Sequence, residues 1–146
     1  MARHHTKDKG DLAQAKVQAD LIERGAMVLL PMTEHSPFDL VAYLDGVFFR
    51  IQVKYRTARH GVLPLHFRSV WADRNGTHAR PMPRDEVDVI ATYAPDTGEC
   101  YYIDPKDFGE SVTLRITPTK NSQASNVTMA SDYRDMPPNH PPARQS

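Results

Sequence analysis

The sequence predicts an α/β domain in which a central sheet is flanked by an N-terminal helix. Three observations carry that expectation. Apolar residues recur at helical spacing between Lys9 and Glu23. The run PFDLVAYL is joined through Asp45-Gly46 to VFFRIQVKYR, two β-rich segments around a two-residue turn. VDVIATYA and ECYYI then form a second hairpin around Pro95 to Gly98. The 146 residues suit one domain, expected over 9–134 between a flexible N-terminus (1–8) and a disordered proline-rich tail (135–146).

Taken in order, the helix shows Leu12, Ala15, Ala19 and Ile22 on one stripe, widened by Ala13, Val17 and Leu21, with Gly25 as its C-terminal cap. AMVLLP at 26–31 reads as a buried strand and MTEHSP as a loop. After the first hairpin, GVLPLHFRSVW at 61–71 reads as one strand, and ADRNGTHARPMPRDE, which lacks periodicity, as a long loop. The second hairpin follows, then one helical turn at Pro105 to Phe108 and a last strand, SVTLRI, at 111–116. The stretch from Thr117 to Arg134 is ambiguous between loop and short helix.

Composition excludes several classes. No apolar run approaches the roughly 20 residues that span a bilayer, and the basic start lacks the apolar stretch of a signal peptide, so a cytoplasmic protein is expected. Cys100 is the single cysteine, which rules out an internal disulfide and a multi-cysteine zinc site; a buried strand thiol is the expected role. His4, His5, His35, His60, His66, His78 and His140 show no zinc-ligand spacing. Trp71 and Phe67 are read as core more readily than as a stacking platform. Lys+Arg and Asp+Glu balance at 18 each, but residues 47–84 hold Arg50, Lys54, Arg56, Arg59, Arg68, Arg74, Arg80 and Arg84 against Asp73 alone. A segment so poor in anions suits a polyanion such as DNA.

With Asp45 and Gly46 in the turn, Leu44 faces Val47 and Asp39 faces Gln52. Leu40, Ala42, Leu44, Val47, Phe49, Ile51 and Val53 then form one apolar face. The other face gathers Asp39, Gln52 and Lys54 at one end. An ordinary cross-strand ion pair accounts for the charges. The set also has a chemical use: Asp39 can hold a divalent cation, the Val53 carbonyl can add an oxygen, and Lys54 can orient or help deprotonate a water.

Here the sequence resembles the PD-(D/E)XK nucleases. Helix, strand, Ser36-Pro37-Phe38-Asp39, turn and Gln52-Val53-Lys54 are similar to that core, and the nearest branch is the group I intron-associated endonucleases, in which Gln replaces the acid of the third motif. The resemblance runs from about Lys9 to Ile116 and implies a restriction-endonuclease-like fold with a mixed sheet, Mg²⁺- or Mn²⁺-dependent cleavage of double-stranded DNA, and a dimer or tetramer. It assigns Asp39 to the metal and Lys54 to the water, and with it the basic segment offers Arg50, Arg56, Arg59, Arg68, Arg74, Arg80 and Arg84 as the DNA-contacting surface. One departure stands out. Gln14 occupies the position at which the family's helix places an acid, so Asp39 would be the only side-chain carboxylate in the site; Asp11, one turn earlier, is the alternative. A cleavage-deficient DNA-binding module and a small protein-interaction domain are the competing readings.

Overall fold

The computed structural model describes residues 6–117 and 127–141. Expectations for residues 1–5, 118–126 and 142–146, and for the Trp71 side chain, lie outside the described residues. Helix α1 (Thr6–Glu23) leads into β1 (Met27–Leu29), β2 (Leu40–Leu44) and β3 (Val47–Tyr55). Then come β4 (Val62–His66), β5 (Arg68–Asp73), β6 (Gly76–Pro81), β7 (Val89–Ala94), β8 (Glu99–Ile103) and β9 (Ser111–Arg115), with 3-10 turns at Arg84–Glu86, Pro105–Asp107 and Ala130–Tyr133. The main sheet has the order β1-β2-β3-β7-β8. It is mixed, because β3 and β7 are parallel while the other neighbours are antiparallel.

The first hairpin has the expected register, Leu44 opposite Val47 and Leu40 opposite Ile51. Asp45 (φ 50°) and Gly46 (φ 83°) both take the left-handed conformation, which matches the right-handed twist of the flanking strands. α1 covers one sheet face. Ala13, Val17 and Leu21 are fully buried there with Leu40, Ala42, Ile51, Ala91 and Tyr102. β4 and β9 form a separate two-stranded sheet on the other face, where Leu63, Leu65 and Leu114 pack on Ile90, Tyr101 and Ile103. β7 is therefore buried on both sides. The cover does not extend to the first strands, where Tyr43 and Phe48 stay exposed with ring centroids 4.6 Å apart.

Several expectations are corrected. α1 starts at Thr6, so residues 6–8 are helical, not flexible. Its buried stripe is Ala13, Val17 and Leu21, whereas Ala15, Ala19 and Ile22 face solvent. β1 is mostly exposed because it is an edge strand on the uncovered side of the sheet, and Val47 is half exposed at the hairpin tip. Residues 61–71 form parts of two strands in two sheets. The supposed loop from 72 is mainly the β5–β6 hairpin. The first part of the tail, 135–141, has a path of its own: Met136 packs against the helix-side core, Asn139 Nδ2 donates to the Asp132 carbonyl, and His140 meets Asp107 at 2.5 Å.

Candidate active site

Asp39 sits one residue before β2, outside the ladder that ends with Leu40 opposite Ile51, so the expected pairing of Asp39 with Gln52 is not part of it. Its N–H donates to the Ile51 carbonyl at 2.9 Å, and its Oδ2 accepts the Val53 N–H at 2.7 Å. The Val53 carbonyl leaves the strand on the same edge as its N–H, past the last ladder pair of β2 and β3, Leu40 with Ile51. Ile51, Val53 and Tyr55 point toward α1, so alternation sends Gln52 and Lys54 to the opposite face.

Electrostatics distinguish these groups from a solvated ion pair. Burial, supported by the nearby Arg56 and Arg68 and opposed by Asp39, pushes the Lys54 ammonium down to about 8. Burial also raises the Asp39 carboxyl, against the Val53 N–H and Lys54. Gln52 Oε1 is buried and has no hydrogen-bond partner among the described residues. An orphaned acceptor of this kind is costly in a dry interior and suits a site that receives a cation or water. Thr92, opposite Lys54 in the β3–β7 register and fully buried, has a hydroxyl in the same condition.

Asp39 and Gln52 open into a cleft of about 470 Å³ whose other wall carries Arg80, Pro81 and Glu86. Sequence reading missed Glu86 and His35, which also line it. Neither lies in a periodic segment or a motif; the chain brings them in through the 3-10 turn after β6 and the loop before β2.

The arginines divide by surroundings. Arg50 is committed to Asp88, with Nε to Oδ2 at 3.0 Å and Nη2 to Oδ1 at 2.9 Å. Arg84 donates to the carbonyls of Phe108 and Gly109 and lies 5.6 Å from the Phe67 ring centroid. Arg56 is half-buried, and its guanidinium is held below its ordinary value by burial and by Arg68. Arg59 is exposed before β4, while Arg68, Arg74 and Arg80 lie along the β5–β6 hairpin.

Gln14 and Asp11 project from one flank of α1. The opposite flank is marked by Lys16, 5.8 Å from the Tyr93 ring centroid, and by Asp20, which accepts the Tyr102 hydroxyl at 2.5 Å. At about 100° per residue, Gln14 lies on the flank of α1 away from those tyrosines. Among the described residues no hydrogen bond or ion pair joins Gln14 or Asp11 to Asp39. Elsewhere, Asp104, Asp107 and His140 offer ligand atoms within 4.8 Å of one another. Cys100 is buried and its thiol pushed up to about 12, mainly by burial, which makes it a poor nucleophile.

A helix on one face of a mixed five-stranded sheet, with an Asp and a Gln-Val-Lys meeting where β2 and β3 part, defines a restriction-endonuclease-like nuclease core. The family model for PD-(D/E)XK endonucleases matches residues 4–136, and the chain belongs to that family. The structure is similar to that of I-Ssp6803I, a bacterial homing endonuclease, with a TM-score of 0.70 and 22% identity over 88% of each chain. It also matches Hjc, a Holliday junction resolvase from Archaeoglobus fulgidus, with a TM-score of 0.47 and 13% identity over 73% of this chain and 84% of that one. No curated protein is a significant match. Among the described residues no helix is long and apolar enough to cross a membrane.

Proposed function

We propose that the chain is a Mg²⁺- or Mn²⁺-dependent endonuclease of double-stranded DNA, in the intron-associated branch whose third motif carries Gln. The observation that carries this reading is the meeting of the Asp39 carboxylate and the orphaned Gln52 oxygen at one cleft, with the half-buried Lys54 amine close enough to feel the Asp39 charge. The donor set fits a hard cation, because Asp39, Gln52 Oε1 and the Val53 carbonyl all offer oxygen. A bound divalent ion would supply charge for the phosphate and acidify a water.

The protein's own residues do the rest. Asp39 is fixed by the Val53 N–H, which keeps its carboxylate at the cleft edge. Lys54, with its ammonium pushed down to about 8, exists in both protonation states near neutral pH. As the neutral amine it takes a proton from water while a new P–O bond forms and the P–O bond to the leaving oxygen breaks. As the ammonium it holds a phosphate oxygen. Arg56 and Arg68 add positive charge beside it.

Gln14 and Gln52 are both neutral, so a cleavage-deficient DNA-binding module is the second reading. Self-association as a dimer or tetramer and a cytoplasmic setting complete the proposal, and sedimentation tests the former. Supercoiled plasmid incubated with the protein and Mg²⁺ or Mn²⁺ separates the readings. Nicking that EDTA and Asp39→Asn both abolish supports the nuclease. Binding without nicking under either metal favours the module.

A further inference from the structure

Among the described residues, the β5–β6 hairpin pairs only with itself. Its root is held by Phe67 and Met82, both buried, with the Met82 N–H donating to the Phe67 carbonyl at 3.2 Å. Beyond that root, residues 72–81 are exposed except for the partly covered His78. A two-stranded ribbon without a sheet or core behind it is marginal in water, so its retention calls for a partner. Its charge states the chemistry: Arg68, Arg74 and Arg80 against Asp73, and Asp73 is occupied at the turn by the Asn75 N–H and the His78 ring.

The ribbon also stands between two clefts. One carries Asp39, Gln52 and Arg80. The other, of about 490 Å³, carries His66, Arg68 and Arg80, with Glu110 as its acid. We propose that the ribbon Arg68–Pro81 enters the major groove of duplex DNA and reads base edges, with one strand's backbone in the Asp39 cleft and the other's in the His66–Arg68 cleft. The major groove, about 12 Å wide, admits a two-stranded ribbon and is flanked by both backbones. Six residues per strand reach about 20 Å, which places base contacts within about six base pairs of the cut. This rests on the nuclease reading for the position of the cut, not for the groove.

The test uses the full chain and a duplex selected by binding from a randomised library, with Ca²⁺ replacing Mg²⁺ during dimethyl sulfate footprinting. Guanine N7, in the major groove, becomes protected on one side of the mapped nick. Arg74→Ala lowers the ratio of affinities for selected and scrambled duplex about tenfold, while scrambled duplex alone is bound only about twofold more weakly. Protection of adenine N3 instead, or an unchanged ratio with unchanged N7 protection, overturns the ribbon proposal. N7 protection that Arg74→Ala removes, in a protein that never nicks, leaves the ribbon standing and overturns the nuclease reading. A parent that neither binds nor nicks overturns both.

Discussion

Replacing Lys54 by Met should stabilise the metal-free protein at neutral pH. Lys54 enters the fold with its ammonium lowered from 10.5 to about 8, chiefly by burial. At pH 7 the group is fully protonated in the unfolded chain and mostly protonated in the folded one, so the native state carries nearly the whole penalty. A shift of that size corresponds to about 3 kcal/mol. Met has a stem of similar shape and no charge to desolvate. Loss of the cation raises the Asp39 carboxyl further, which offsets part of the gain and leaves about 1–3 kcal/mol, or a melting point higher by several degrees. The sign reverses the usual lysine case. Because the folded value lies below the unfolded one, the penalty is full below pH 8 and fades as pH rises from about 8 to about 10.5. Urea unfolding of parent and Lys54→Met across that range reads it directly. A variant less stable at pH 7, or a stability difference that stays flat from pH 7 to 10.5, would refute the reasoning.

Three further outcomes follow from the same geometry. Asp88→Ala should cost about 1–3 kcal/mol in urea unfolding, because the Arg50 N–H, now 2.8 Å from Oδ2, and its guanidinium lose their acceptor; Asp88 is held below its ordinary value by Arg50, so its contribution is present at neutral pH and lost as pH falls through the carboxylate range. Gln14→Glu should tighten Mn²⁺ binding in calorimetry, whereas Ala15→Glu, at an exposed position, should not, and equal affinity in the two variants would favour Asp11 as the second ligand. DNA affinity should fall steeply with added salt, and Arg80→Ala should lower the logarithmic slope by about one; affinity that ignores salt would exclude a phosphate-contacting surface.

The part of the site legible in the sequence is the part built by one hairpin. Asp-Gly set the turn, and strict alternation then predicted Asp39, Gln52 and Lys54 together without any tertiary information; the structure brings Asp39 and Gln52 to one cleft, with Asp39 just outside the ladder. The buried face of α1 was harder to read. Apolar residues occupy more than one stripe, Ala15 and Ala19 are small enough to stand in water, and only the sheet decides which stripe it covers. The ribbon was hidden by its composition: ADRNGTHARP has no apolar alternation because neither face is buried. One signal was present, Asn75-Gly76, beside the turn that closes β5 onto β6. Glu86 and the Arg50–Asp88 pair depend on contacts across the chain, which no local pattern carries.

The most direct test of the Asp39–Gln52–Lys54 centre is the single-turnover nicking rate of Lys54→Ala against the parent, at protein concentrations that saturate the DNA in Mg²⁺ or Mn²⁺. Saturation removes differences in affinity, so the ratio of rates reports the chemical step. The rate should fall by about 10²–10⁴-fold while the concentration for half-saturation changes little, since proton transfer by a positioned side chain contributes on that scale. Equal rates for parent and variant would contradict the assignment of the site.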